Sequence, residues 1–165
     1  MKSIYIIGAQ STGKTTLVNA LARAFQEQAA GSKNQTPRVI QEVARKIVQR
    51  ETQFSREEVA TTPERALKLQ HRILAAQYDA EVTIRHANTP VSAPEWYISD
   101  RSGLDPIVYA RCLVGKEAAA DMLATVDSEL SYKTNSFLNI QHFFAHDIIL
   151  DIPCFQHVSK RSVDP

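Results

Sequence analysis

Lys14 and Thr15 close a run with two fixed glycines, Gly8-Ala9-Gln10-Ser11-Thr12-Gly13-Lys14-Thr15. An ammonium and a hydroxyl at that offset from a glycine turn suit a polyphosphate. Gly8 and Gly13 permit backbone angles that a Cβ obstructs, so successive N–H groups can turn inward as an anion-binding nest. Lys14 supplies a point charge toward the β- and γ-phosphates. The helix that it opens directs its positive end and its unpaired N–H groups at the same oxygens. Thr15 offers its hydroxyl to Mg²⁺, and Thr16 extends the run. A glycine turn that merely joined a strand to a helix would account for the glycines but not for Lys and Thr behind them. Residues 8–16 are therefore expected to hold ATP with Mg²⁺.

Three further residues carry charge at places where chemistry is expected. Asp100 ends an apolar stretch, and a carboxylate at a strand end is a candidate second ligand for Mg²⁺, or else a plain strand-end acid. Arg101 follows at once, and its guanidinium either neutralises charge on a transferring phosphoryl group or pairs with Asp105 or Glu95. Glu42 either accepts the proton of an attacking hydroxyl or pairs with Arg45 or Arg38. Ligands of open α/β sheets lie beyond the carboxyl ends of the strands, which is where Glu42 and Asp100 are expected to meet the glycine loop. Lys14, Glu42, Asp100 and Arg101 are thus the candidate catalytic residues, and Thr15 and Asp100 the candidate metal ligands. His142 and His146 are four apart but lack the Glu of a zinc-hydrolase helix, and Asp105, before Pro106, reads as a helix N-cap.

The elements that must position these groups alternate. Ser3-Ile4-Tyr5-Ile6-Ile7 is apolar on both alternating faces, as a central parallel strand covered on both faces would be. From about Lys14 to Gln28, Leu17, Leu21, Ala24 and Phe25 recur at helical spacing. Pro37 to Gln41 predicts a second strand, and Val43, Ala44, Ile47 and Val48 a helix after it. Ser55 to Glu58 has capping-box spacing, and Thr62-Pro63 starts a long helix with a stripe of Ala66, Leu69, Ile73, Ala76 and Ala80. His86 to Glu95 reads as a loop, Glu95 to Asp100 as a third strand, and Asp105-Pro106 as a helix start with Gly115 near its stop. A last helix spans about Lys116 to Leu130. Asp147 to Ile152 is a weak fourth strand, and no fifth is visible. The pattern predicts a three-layer α/β/α sandwich on a mostly parallel sheet.

Size and charge narrow the partners. A chain of 165 residues is long enough for one domain, with about 70% of its unfolded surface buried. The formal charge is +1, from 19 basic and 18 acidic residues. That balance gives no global field for nucleic acid or an anionic membrane, so neither is expected as a partner. No apolar run approaches the roughly 18 residues of a membrane span. Cys112 and Cys154, with no secretory leader visible, read as reduced thiols of a cytoplasmic protein. Asn34-Gln35-Thr36 reads as a chance sequon.

The run from Gly8 to Leu17, then Glu42-Val43-Ala44-Arg45, then Asp100-Arg101-Ser102-Gly103-Leu104-Asp105-Pro106, together resemble the NadR-type AAA/kinase domain of the P-loop NTPase superfamily, a ribosylnicotinamide-kinase-like group. The resemblance spans residues 1 to roughly 132. It implies an ATP-dependent phosphotransferase with a small, nucleoside-like hydroxyl acceptor of unspecified identity. Glu42 and Asp100 would take base and metal roles, and Arg101 would contact acceptor or phosphates. Residues 1–133 are expected to form the P-loop domain. Thr134 to Pro165 departs from the pattern, an atypical tail in place of the last strands and lid.

A second class of function stays open, because Asp100-Arg101-Ser102-Gly103 also fits the D-x-x-G of a γ-phosphate sensor, as in a nucleotide-dependent switch or an ATPase module. A third reading is an inactive, truncated form. No N-K-x-D element for guanine is present.

Overall fold

A computed structural model describes residues 3–30, 36–50, 59, 61–86 and 96–125 of the chain. Three parallel strands form the sheet among them: β1 (Ser3–Ile6), β2 (Arg38–Ile40) and β3 (Tyr97–Asp100), in the order β1-β3-β2. Ile6 lies opposite Asp100, and Ile40 opposite Ser99, so all three strands end at the same edge. The five described helices are α1 (Lys14–Ala29), α2 (Val43–Arg50), α3 (Pro63–His86), α4 (Leu104–Leu113) and α5 (Lys116–Thr125).

Side-chain alternation along β3 assigns the layers. Tyr97 and Ser99 bond Glu81 and Gln77 of α3, whereas Asp100 bonds Thr15 of α1, so the two faces of the strand are covered by different helices. All four β3 residues are buried, while β1 is half-buried throughout. The sequence leads one to expect β1 at the centre; among the described residues that place belongs to β3. The reason is pairing: β3 is hydrogen-bonded on both sides, whereas β1 has β3 as its one described neighbour.

Two apolar clusters hold the layers together. Ile40, Val43 and Tyr97 gather Ile47, Ala76, Ala80 and Ile84 beneath α2 and α3. Leu74, Ile107, Ala110, Ala119 and Met122 join α3, α4 and α5. Full burial of a side chain such as Ile107 or Met122 contributes roughly 1.5–3 kcal/mol of transfer free energy. On the other side of the sheet Val18 and Ala22 of α1 are buried, and Phe25 meets Trp96 edge-on at 4.8 Å.

The helix ends mostly follow their signals. The Thr62 carbonyl accepts the Ala66 N–H at 3.0 Å, the first bond of α3, as its place ahead of Pro63 requires. Gly115, at φ 140°, ends α4 with its N–H on the Ala110 carbonyl. Two expectations are corrected. The helical ladder of α3 continues through His86, which is thus helical rather than the first residue of a loop; 87–95 lie outside the described residues. Asp105 is not the N-cap of α4: Gly103 holds that position, and Asp105 sits inside the first turn. From there its Oδ2 accepts the Ser102 N–H at 2.8 Å, so the carboxylate serves the helix start from within. The capping box at 55–58, the continuation of α5 to Leu130, the weak strand at 147–152, His142, His146, Cys154 and the tail at 134–165 lie outside the described residues.

Candidate functional site

Strand β1 delivers the chain to its carboxyl edge, and the next seven residues curl rather than extend. Gly8 at φ 144°, Ser11 at 62° and Gly13 at 80° all have positive φ. The two glycines adopt this without a Cβ penalty, and Ser11 accepts the strain that a tight loop imposes on an L-residue. Thr12 Oγ1 donates to the Ala9 carbonyl at 2.9 Å, which closes the curl. Gly13 then caps α1, its carbonyl accepting the Leu17 N–H at 3.0 Å. Gly8 through Gly13 are exposed, so the concave backbone is open to a ligand. Lys14 is buried at its base, where the ammonium donates to the Ala9 carbonyl and lies 3.3 Å from Thr12 Oγ1.

The Thr15 hydroxyl donates to Asp100 Oδ2 at 2.6 Å, joining the first turn of α1 to the end of β3. Asp100 is 1% exposed, and its second oxygen, Oδ1, is buried without a hydrogen-bond partner. A buried carboxylate oxygen left unmatched is costly unless something positive meets it. The pair Thr15 and Asp100 supplies hard oxygen donors, the kind that Mg²⁺ takes in ones and twos while keeping water and phosphate for its other positions. Among the described residues there is no group of three or more His, Cys, Asp or Glu placed to hold a metal ion.

Beside Asp100, Arg101 adopts φ 85°, a left-handed conformation rare for a side chain of this size. Its Nε donates to Glu42 Oε1 at 3.0 Å and its Nη1 to Asp105 Oδ1 at 3.1 Å. Burial works against the guanidinium charge, but the Asp105 and Glu42 carboxylates outweigh it and hold the proton more tightly than in a free arginine. Glu42 Oε2 binds Arg45 at 2.8 Å, so both Glu42 oxygens face a guanidinium. Asp105 Oδ2 takes Ser102 N–H and Oγ, and the Ser102 hydroxyl accepts the Leu104 N–H at 3.1 Å, which stiffens the turn that presents Arg101. Of the pairings considered from sequence, Arg101 with Asp105 and Glu42 with Arg45 are present.

All these groups border one cleft of about 760 Å³, within the range of small-molecule sites. Gln10 to Thr15 border it from the loop, Glu42, Asp100 and Arg101 from beyond the strand ends, and Leu69, Gln70, Ile73, Gln77, Tyr109 and Leu113 from α3 and α4. Gly8, Ala9 and Thr16 belong to the loop and α1 but do not border the cleft.

Sequence reasoning missed the polar side of α3. Gln70, Gln77 and Glu81 are 4%, 2% and 1% exposed. Gln77 Nε2 donates to Glu81 Oε1 and to Ser99 Oγ, and Glu81 Oε2 accepts from Tyr5 and Tyr97, both at 2.9 Å. A scan for apolar residues at helical spacing passes over these positions, although 70, 77 and 81 recur at helical spacing themselves.

A parallel sheet with strand, glycine loop and helix in succession, and a second strand whose terminal acid touches the helix's threonine, defines a P-loop NTPase fold. A family model described as an AAA domain matches residues 3–146, most of the chain, and the protein belongs to that family. Neither the curated proteins nor the solved structures yield a match. An AAA-type P-loop domain points to nucleotide binding or NTPase activity, and P-loop NTPases generally bind their nucleotide with Mg²⁺.

Proposed function

We propose that this protein is an ATP-dependent phosphotransferase acting on a small hydroxyl-bearing, nucleoside-like acceptor. The observation that carries the reading is a single cleft bordered at once by the glycine loop, by Asp100 and Arg101, and by side chains of α3 and α4. A bare ATPase needs room for a nucleotide and a water; a space that also borders α3 and α4 has room for a second substrate.

In this reading the loop amides, Lys14 and the start of α1 hold the polyphosphate. Lys14 exchanges the Ala9 carbonyl for phosphate oxygens when the nucleotide enters. Thr15 and Asp100 hold Mg²⁺, which when bound neutralises charge on the β- and γ-phosphates. Arg101, locked by two carboxylates, presents a fixed positive charge to the transferring group. The bond between the γ-phosphorus and the ADP oxygen breaks as the acceptor hydroxyl oxygen bonds to phosphorus. The hydroxyl proton passes to Glu42, which releases Arg45, an exposed side chain and so the cheaper of its two partners to displace.

The test is ADP production by the purified protein across a panel of nucleosides and ribosides with Mg-ATP. Acceptor-dependent ADP supports the reading. ADP released at the same rate without acceptor would make the protein an ATPase or switch, and binding without turnover would make it a nucleotide-binding module.

A further inference from the structure

The α3 and α4 side of the cleft holds a group that the phosphate chemistry does not use. Gln70 is 4% exposed, borders the cleft, and its side-chain amide has no hydrogen-bond partner among the described residues. Its polar atoms are not sealed off from the cleft, so the amide meets water there, which a ligand group can replace. Gln77, two turns along the same helix, is different: its Nε2 is already committed to Glu81 and Ser99, at 2.9 and 3.0 Å. Of the two buried glutamines that border the cleft, Gln70 is therefore the one left for a ligand.

Its surroundings limit what that ligand is. Leu69, Ile73 and Leu113 line the same side of the cleft with Tyr109, an apolar and aromatic wall around one amide that both donates and accepts. A neutral planar ring would bury its faces against these side chains and present its edge to the amide.

We infer that Gln70 reads the base of a nucleoside acceptor, pairing its amide with a donor or acceptor on the edge of the ring while the sugar hydroxyl lies toward Asp100 and Arg101. Gln70 is then a specificity-determining residue, separate from the groups that handle phosphate. The inference deepens the phosphotransferase reading and rests on it for the direction in which the acceptor lies.

The experiment is calorimetric binding of adenosine, guanosine, cytidine, uridine and thymidine, with ribose as the control. The full chain is saturated beforehand with a nonhydrolysable ATP analogue and Mg²⁺, so that the nucleotide site is closed to the ligands. At least one nucleoside is expected to bind and ribose is not. Gln70→Leu, close in volume, is expected to weaken that nucleoside about tenfold or more, because the base then meets no partner, and to leave affinity for the ATP analogue unchanged. Gln70→Glu converts a donor–acceptor into an acceptor. It is expected to shift preference toward guanosine, adenosine and cytidine, which present exocyclic amino donors, and away from uridine and thymidine, which present none; this arm still reads if Gln70→Leu fails to fold. Equal nucleoside affinity in wild type and Gln70→Leu, an unchanged preference in Gln70→Glu, binding of ribose as tight as of nucleosides, or no nucleoside binding by wild type would each overturn the inference. The two proposals fail separately. Gln70-dependent nucleoside binding without phosphoryl transfer removes only the kinase reading, and phosphorylation of an acceptor at a rate and KM indifferent to Gln70 removes only the role of Gln70.

Discussion

The Thr15 hydroxyl donates to Asp100 Oδ2 at 2.6 Å across 85 residues of chain, and the other Asp100 oxygen is buried with no partner. A contact between the first turn of α1 and the last residue of β3 fixes the glycine loop relative to the sheet edge. In the proposed reading, that hydroxyl and carboxylate hold the nucleotide-bound cation.

Asp100→Asn keeps an oxygen able to accept the Thr15 hydroxyl and removes the charge. Affinity for an ATP analogue in excess EDTA is expected to change little, while the gain on adding Mg²⁺ shrinks by about tenfold or more, the equivalent of about 1.4 kcal/mol. Calorimetric titrations with and without Mg²⁺ measure both. An unchanged gain in the variant would remove Asp100 from the metal site.

Arg101 at φ 85° gives a prediction about stability that its charge alone does not. Arg101→Ala and Arg101→Gly lose the same bonds to Glu42 and Asp105, yet only glycine adopts left-handed backbone without a Cβ penalty. The glycine variant is expected to be the more stable of the two by about 1 kcal/mol, measured by urea unfolding. Both are expected to lose phosphoryl transfer, since neither carries a guanidinium. An alanine variant as stable as the glycine one would show that the turn relaxes freely.

Tyr5 lies 2.5 Å from the Tyr97 hydroxyl and donates to Glu81. Burial, then the Glu81 charge, then its contacts with Tyr97 push its pKa far above the ordinary phenol value. In the unfolded chain Tyr5 loses its proton near pH 10, while in the fold it keeps it. The unfolded state therefore binds fewer protons above about pH 10, and stability falls with rising pH there; below pH 10 this group adds no slope. Tyr5→Phe is expected to flatten the alkaline slope between about pH 10 and 11, followed by thermal unfolding across that range. An unchanged slope would assign the alkaline loss to other groups.

The parts of this site that sequence made legible are those built from local pattern. Gly8, Gly13, Lys14 and Thr15 act through spacing within one turn, and Asp100 through its place at the end of an apolar run. The helices at Pro63 and Leu104 follow from proline and hydrophobic period, although the N-cap of the second is Gly103 rather than Asp105. What stayed hidden depends on distance in the chain. The bond from Glu42 to Arg101 spans 59 residues and that from Tyr5 to Glu81 spans 76, and neither leaves a local trace. Gln70 and Gln77 face inward on a helix whose apolar stripe predicts the opposite for polar residues. The left-handed Arg101 is invisible too, because its strain is imposed by the turn that Asp105 ties to Ser102.

The central claim is that the curled loop of residues 8–13 and Lys14 hold the polyphosphate of a nucleotide, and calorimetric binding of a nonhydrolysable ATP analogue to wild type and Lys14→Ala tests it most directly. Lys14 bonds only loop oxygens that water can reach, so the variant is expected to keep its fold by circular dichroism. Wild type is expected to bind saturably and the variant about 10- to 100-fold more weakly, the range of a charge-assisted contact. Equal affinity in the two proteins, or no binding by wild type, would contradict the account.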